Sequence, residues 1–151
     1  MTNDAPKAQL LVCAGLLGGV MLMAEVSGVS AMIAPFSATC ALLALLPNAP
    51  FSQARTLVIS HAICISLGAL GSFIAAPVLV VALLVGWMAI IGMAWTRMLH
   101  APAVAHTIIL VFGKQPPDRY IIASMATVLV CAAFAWMWSR RRSGEMVQSK
   151  A

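Results

Sequence analysis

The chain has 151 residues, of which 62% are hydrophobic and only 9% charged, with a formal net charge of +5 at neutral pH, and its mean hydropathy is +1.00. This composition excludes an ordinary soluble domain: it is that of an integral membrane protein with a single transmembrane domain, 1–151, and no polar stretch long enough for a second one. The positive balance does not point to nucleic acid, because the cations sit at segment ends and in the basic cytoplasmic tail 140–151, at Arg140, Arg141, Arg142 and Lys150, where they read as topology signals.

Six apolar elements follow in chain order. Leu10 to Val29 is long enough to span, since a transmembrane helix needs about 20 apolar residues. Its length also exceeds the apolar region of about 7 to 15 residues in a signal peptide, so it reads as a retained helix although Val29-Ser30-Ala31 has the form of a cleavage site. A shorter apolar piece, Pro35 to Leu46, opens on a proline and ends in the turn Pro47-Asn48-Ala49-Pro50. Two long segments come next, Thr56 to Ala76 and Val78 to Thr96, separated only by Pro77, which predicts a tight antiparallel hairpin. A second short piece, Pro102 to Phe112, again opens on a proline and ends in Gln115-Pro116-Pro117-Asp118. The last long segment, Tyr120 to Ser139, carries Trp136 and Trp138 beside the arginine run, the usual furniture of a membrane interface. The expected fold is an all-α membrane protein of four long transmembrane helices plus two short half-helices, re-entrant or discontinuous, with an internal two-fold repeat.

The repeat is read by sliding the chain against itself by 67 residues, which lays the half 10–64 on the half 77–131. Leu16 then meets Leu83, Gly19 meets Gly86, Pro35 meets Pro102, Ala38 meets Ala105, Pro50 meets Pro117 and Cys64 meets Cys131. Weak internal symmetry of this kind is how many transporter folds are built. Re-entrant short helices give four crossings and parallel repeats. Short helices completed by the extended stretches Gly28 to Ala34 and Met98 to Ala101 give six crossings and inverted repeats. The charge rule favours inversion, with both termini, Arg55 and Arg97 inside and Lys114 and Arg119 outside.

Half-helices at membrane depth line cavities, because irregular backbone is tolerated there only within protein or beside water. A proline in the first helical turn is preorganised and leaves the following amides free to face an anion. The expected substrate-binding residues are therefore Pro35, Ser37, Ala38 and Thr39 in the first short helix and His100, Pro102, Ala103 and His106 around the second. Ionisable groups inside a membrane are expensive and functional by default. His61 and Glu25 are candidates for coupling, and Arg55 for an anion entrance or a headgroup anchor. The four cysteines, Cys13, Cys40, Cys64 and Cys131, stand singly without metal-site spacing and read as packing residues.

The stretches Pro35 to His61 and Arg97 to Ala105 resemble the HPP family of small integral membrane proteins, named for a His-Pro-Pro motif that here reads His100-Ala101-Pro102. A second family signature is matched by Phe36-Ser37-Ala38-Thr39, Pro47, Pro50, Gln53, Arg55 and His61. The chain departs from the family at Ala101, in Gln53-Ala54-Arg55-Thr56 and in Ile59-Ser60, as a divergent member does. The resemblance implies four membrane-spanning helices and, from relatives in plastids and cyanobacteria, transport of nitrite.

The leading reading is a transporter or channel for a small inorganic anion, nitrite being the one the resemblance implies, bound near the midplane at the two half-helix N-termini. It requires no enzymatic chemistry and no cofactor. The expected partners are the substrate, the lipid bilayer and further copies of the chain in a homo-oligomer, whose interfaces would use Gly15 to Gly19 and Gly68 to Gly71. The expected location is a bacterial inner membrane. Two alternatives stay open: a membrane b-haem redox protein with axial ligands among His61, His100 and His106, and a non-transporting accessory subunit.

Overall fold

The computed structural model describes residues 5–113 and 116–148, with side chains described from 7 to 140, so Lys114 and the tail side chains Arg141, Arg142 and Lys150 lie outside it. Six helices follow one another: α1 (Ala5–Ser27), α2 (Ile33–Leu45), α3 (Ala54–Gly71), α4 (Val78–Thr96), α5 (Val104–Phe112) and α6 (Pro117–Gln148). Single 3-10 turns, Ser30–Met32, Pro50–Ser52 and Ala101–Ala103, lead into α2, α3 and α5, and the described residues contain no strand. Four helices contain stretches long and apolar enough to cross a membrane, Lys7–Ser27, Ala54–Gly71, Val78–Thr96 and Pro117–Arg140, while Ser30–Leu45 and Ala101–Phe112 are shorter.

The two long helices that precede a short one stop in the same way. At the end of α1, Gly28 takes a left-handed φ of 68°, and Gly28 N–H and Val29 N–H donate to the carbonyls of Glu25 and Ala24. At the end of α4, Arg97 takes φ 58°, and Arg97 N–H and Met98 N–H donate to Ala94 and Met93. Both are Schellman closures, which satisfy the last carbonyls and turn the chain aside. Glycine enters the left-handed region freely, whereas at Arg97 a side chain does so, an uncommon conformation held by its surroundings.

Of the boundaries that differ from the sequence expectation, three turn on a proline or the residues beside one. The α2 helix starts two residues before Pro35, which then occupies the first turn, where no amide hydrogen bond is lost. The α5 helix starts at Val104, because Pro102 sits inside the preceding 3-10 turn. The α3 helix ends at Gly71 instead of Ala76, so residues 72–77 form a true connection. There Ser72, Phe73 and Ile74 donate to Gly68, Leu70 and Gly71 in a tightening last turn, and Pro77 pushes Ala76 out of helical geometry.

Contacts fix the direction of each helix. Thr56 meets the Met98 sulfur, the Cys64 thiol meets the Met93 thioether sulfur and Gly71 faces Val85, so α4 runs antiparallel to α3. Thr107 bonds the Cys64 carbonyl and Val111 packs at Gly71, so α5 runs parallel to α3. Phe36 stacks on His61 while Leu42 lies against Ser52, just before α3 begins, so α2 runs back along α3. Tyr120 meets His106 and Cys131 meets Cys40, which orients α6 with α2. Successive helices therefore alternate in direction, and the short ones return through the bundle thickness instead of folding back on one face. The contact of position 64 with 107 is repeated, 67 residues displaced, by 131 with 40.

The bundle packs most closely at Gly68, where an added Cβ would stand 2.8 Å from the Thr107 Cα and 3.0 Å from its carbonyl oxygen. Gly15, Gly18 and Gly19 on α1 have nothing within 4 Å of such a Cβ. Of the two glycine-rich stretches considered for subunit contacts, Gly68 to Gly71 is therefore consumed inside the protomer. Gly68→Ala is expected to destabilise the protein by about 1–3 kcal/mol, the usual range for overpacking, and Gly15→Ala to leave the protomer fold intact. Unfolding midpoints of the two variants in detergent check this.

Candidate functional site: a buried histidine cluster

The three histidines of the chain come from three different elements and meet in one place. His61 sits on α3, His100 precedes the 3-10 turn before α5, and His106 lies on the first turn of α5. All three are fully buried, at 0% exposure. The ring centroids of His61 lie 5.1 Å from those of both His100 and His106. Phe36, from α2, stacks on His61 at 5.4 Å with planes 7° apart and meets His106 edge-on at 5.1 Å. His61 is seven residues into α3, about 10 Å along a helix of about 27 Å, which sets the cluster well inside the bundle.

Each ring is fixed by a particular partner. His100 Nδ1 donates to the Phe51 carbonyl at 2.9 Å, because a carbonyl can only accept. His100 Nε2 is then the acceptor for the Thr39 hydroxyl, 3.0 Å away, drawing that proton from the alternative Pro35 carbonyl at 3.1 Å. This bond ties the middle of α2 to the entry of α5. His61 Nδ1 donates to the Leu57 carbonyl at 2.9 Å. His106 Nδ1 pairs with the Tyr120 hydroxyl at 2.7 Å. The Nε2 atoms of His61 and His106 are buried without a partner. Further polar groups continue the core around the rings: Ser60 bonded to Thr56, Thr107 bonded to Cys64, and Ser124 and Thr127 on α6, all buried.

The residues singled out in the sequence divide accordingly. Thr39, His61, His100 and His106 come together, and Pro35 and Ala103 are buried beside them on the same elements. Ser37 is half-buried and donates to the Ile33 carbonyl of its own helix, Pro102 is half-buried, and Ala38 faces outward. Arg55 is exposed. Glu25 is exposed at the break after α1, where it lines a separate pocket of about 260 Å³ with Met21, Ala24, Gly28, Ser30 and Ile33. The short-helix N-termini are followed by imidazoles and an aromatic ring, so side chains dominate the site where free amides were expected. Phe36 and Tyr120 were not among the expected site residues. Phe36 was visible only as part of a motif, and Tyr120 only as the start of a long helix.

His61 packs on His100 and His106 with ring centroids 5.1 Å apart, too close for a porphyrin plane to lie between His61 and either imidazole. The haem alternative does not fit this packing. Among the described residues no group of three or more His, Cys, Asp or Glu side chains is arranged to hold a metal ion.

Apolar helices long enough to cross a bilayer, wrapped around a buried cluster of imidazoles and hydroxyls, define a multi-pass membrane protein with a polar core. The family model described as "HPP, transmembrane region" matches residues 2–147, nearly the whole chain. The protein belongs to the HPP transmembrane family. No curated protein and no solved structure matches it.

Tyr120→Phe leaves the His106 Nδ1 without its buried partner and is expected to lower stability by about 1–3 kcal/mol. Ala38→Leu, on the outward face of α2, is expected to change it by no more than about 0.5 kcal/mol. Denaturant titration of both variants in the same detergent separates the two effects.

Proposed function

We propose that this protein is a transporter or channel for a small inorganic anion, with nitrite the first candidate on the strength of the family resemblance, and that the anion passes the histidine cluster. The observation that carries the reading is the burial of all three imidazoles where the two short helices enter the bundle. Hydrocarbon offers polar groups no partners, so a polar cluster at this depth persists where it serves a pathway. Two short breaks, each ending in a 3-10 turn, feed short helices into that cluster, the arrangement by which transporters expose polar groups near the midplane. In the conformation described the rings are sealed, so passage requires α2 and the entry of α5 to separate. The Thr39–His100 bond is the contact that joins them.

The exposed cations Lys7, Arg55, Arg97 and Arg140 lie at one end of the alternating helices, and Arg119 with Asp118 at the other. By the positive-inside rule the first end, with both termini, faces the cytoplasm of a bacterial inner membrane. The small protomer exposes the α1 glycine face, which suits close approach of a second copy in a homo-oligomer.

Proteoliposomes holding the wild-type protein are expected to take up nitrite saturably above empty vesicles, and His100→Ala to reduce that uptake at least tenfold. Absence of uptake of nitrite, nitrate, formate and chloride by folded protein overturns the proposal. In intact cells, a membrane-impermeant maleimide is expected to label Arg119→Cys and to spare Arg97→Cys.

A further inference from the structure

The hydrogen bonds of the cluster leave it with an unequal distribution of protons. His100 is satisfied at both nitrogens. His61 is satisfied only at Nδ1, and since its partner is a carbonyl, the ring proton resides there and Nε2 presents a bare lone pair. His106 is paired through Nδ1 with a hydroxyl, which can donate or accept. When Tyr120 donates, His106 carries its proton on Nε2; when Tyr120 accepts, that nitrogen is bare. Both Nε2 atoms are fully enclosed and unpartnered, on rings whose centroids are 5.1 Å apart.

Among the described residues, an anion reaching this site meets no fixed positive charge. Arg55, Arg97, Arg119 and Arg140 are all exposed at the ends of the bundle. Nor, among the described residues, does any carboxylate face the rings: Glu25 and Asp118 are exposed. The titratable groups facing the pair are His100 from the entry of α5 and Tyr120 from α6, with the Cys64 thiol one turn beyond His61 on α3 and Cys40 one turn beyond Phe36 on α2. The parts of α1 and α4 that join the buried core contribute Val20, Ala24, Ala89 and Met93, none of them ionisable. Among the described residues the groups able to supply a positive charge inside the core are therefore the imidazoles. Phe36 lies parallel to the His61 ring, and an aromatic face is a favourable neighbour for a cation.

We propose that His61 and His106 form a proton-binding site and that the anion crosses together with one proton. The inference rests on the transport reading above and names its coupling. A proton from the entry side adds to the His61 Nε2 lone pair, with His106 Nε2 as the second acceptor. The imidazolium N–H then faces the anion as a charge-assisted donor. On the far side the anion leaves and the nitrogen returns its proton to water. One anion and one proton move per cycle, no bond in the anion breaks, and the net charge moved is zero.

The test uses the full-length protein in liposomes enclosing a pH-sensitive dye, with the membrane potential clamped by potassium and valinomycin, nitrite added outside, and empty vesicles subtracted to remove diffusion of the free acid. The expected result is internal acidification of one proton per nitrite, at a rate unaffected by the clamped potential. His61→Gln is expected to reduce acidification at least tenfold, and Phe36→Leu several-fold. Protein-dependent nitrite uptake that follows the potential without acidification overturns the coupling and leaves transport standing. No uptake in the wild type overturns both. The stoichiometry is read on wild type, so a variant that fails to fold does not obscure the outcome.

Discussion

The constraint on which this structure depends is that hydrocarbon provides no hydrogen-bond partners, so a polar group placed at depth finds its partner in the protein itself or, like the Nε2 atoms of His61 and His106, has none. Three imidazoles, a phenol and several hydroxyls are enclosed at 2% exposure or less. Their satisfaction dictates which elements must touch: Phe51 and Thr39 must reach His100, Tyr120 must reach His106, and the Leu57 carbonyl must accept from His61. The bonds to His100 and His106 link α2, the turn before α3, α5 with its entry, and α6, while that of His61 closes within α3. The apolar exterior, by contrast, is permissive, since large exposed side chains such as Leu83, Trp87 and Ile91 are at home in lipid.

Short helices are what make such a cluster possible. A continuous helix crossing the bilayer would present its own side chains laterally and keep all its backbone satisfied. Breaking the chain at Gly28 and at Arg97 brings irregular backbone to the interior, and the Phe51 carbonyl, in the 3-10 turn before α3, serves as the acceptor for His100. The same breaks redirect the chain so that six helices alternate in direction. The second set of three then runs opposite to the first, and the pair of contacts 64–107 and 40–131 falls on equivalent sides of the bundle. The halves differ where the chemistry is: Thr39 stands at the position equivalent to His106, and Phe36 at that equivalent to Ala103. Similar backbone thus carries unlike side chains, and the polar core is lopsided toward α3 and the entry of α5.

Much of this was legible in the sequence because the bilayer imposes a length rule. Four runs near twenty apolar residues and two near twelve can be counted without knowing the fold, and proline and glycine mark where the runs break. The boundary errors have local causes. Pro77 acts back on Ala76 and α3 closes early at Gly71 and Ser72, while Pro102 is accommodated in a 3-10 turn and delays α5. Family membership rested on motif residues that are contiguous or closely spaced, and these too are visible in one dimension.

The sequence by itself determined that the protein is a multi-pass helical membrane protein, where its short helices lie, and that Thr39, His61, His100 and His106 are the polar candidates within its apolar segments. It did not determine that these four are neighbours. His61 and His100 are far apart along the chain, and no periodicity relates residues on different helices. Only the tertiary structure decided that Phe36 and Tyr120 complete the cluster, that Ala38, Arg55 and Glu25 stand away from it, and which imidazole nitrogens are left without partners. The reason is physical: hydropathy and helix breaking are local properties, summed along the chain, whereas the pairing of buried polar groups is settled by helix packing, where the Gly68–Thr107 approach and the Thr39–His100 bond fix how the two short helices sit on α3.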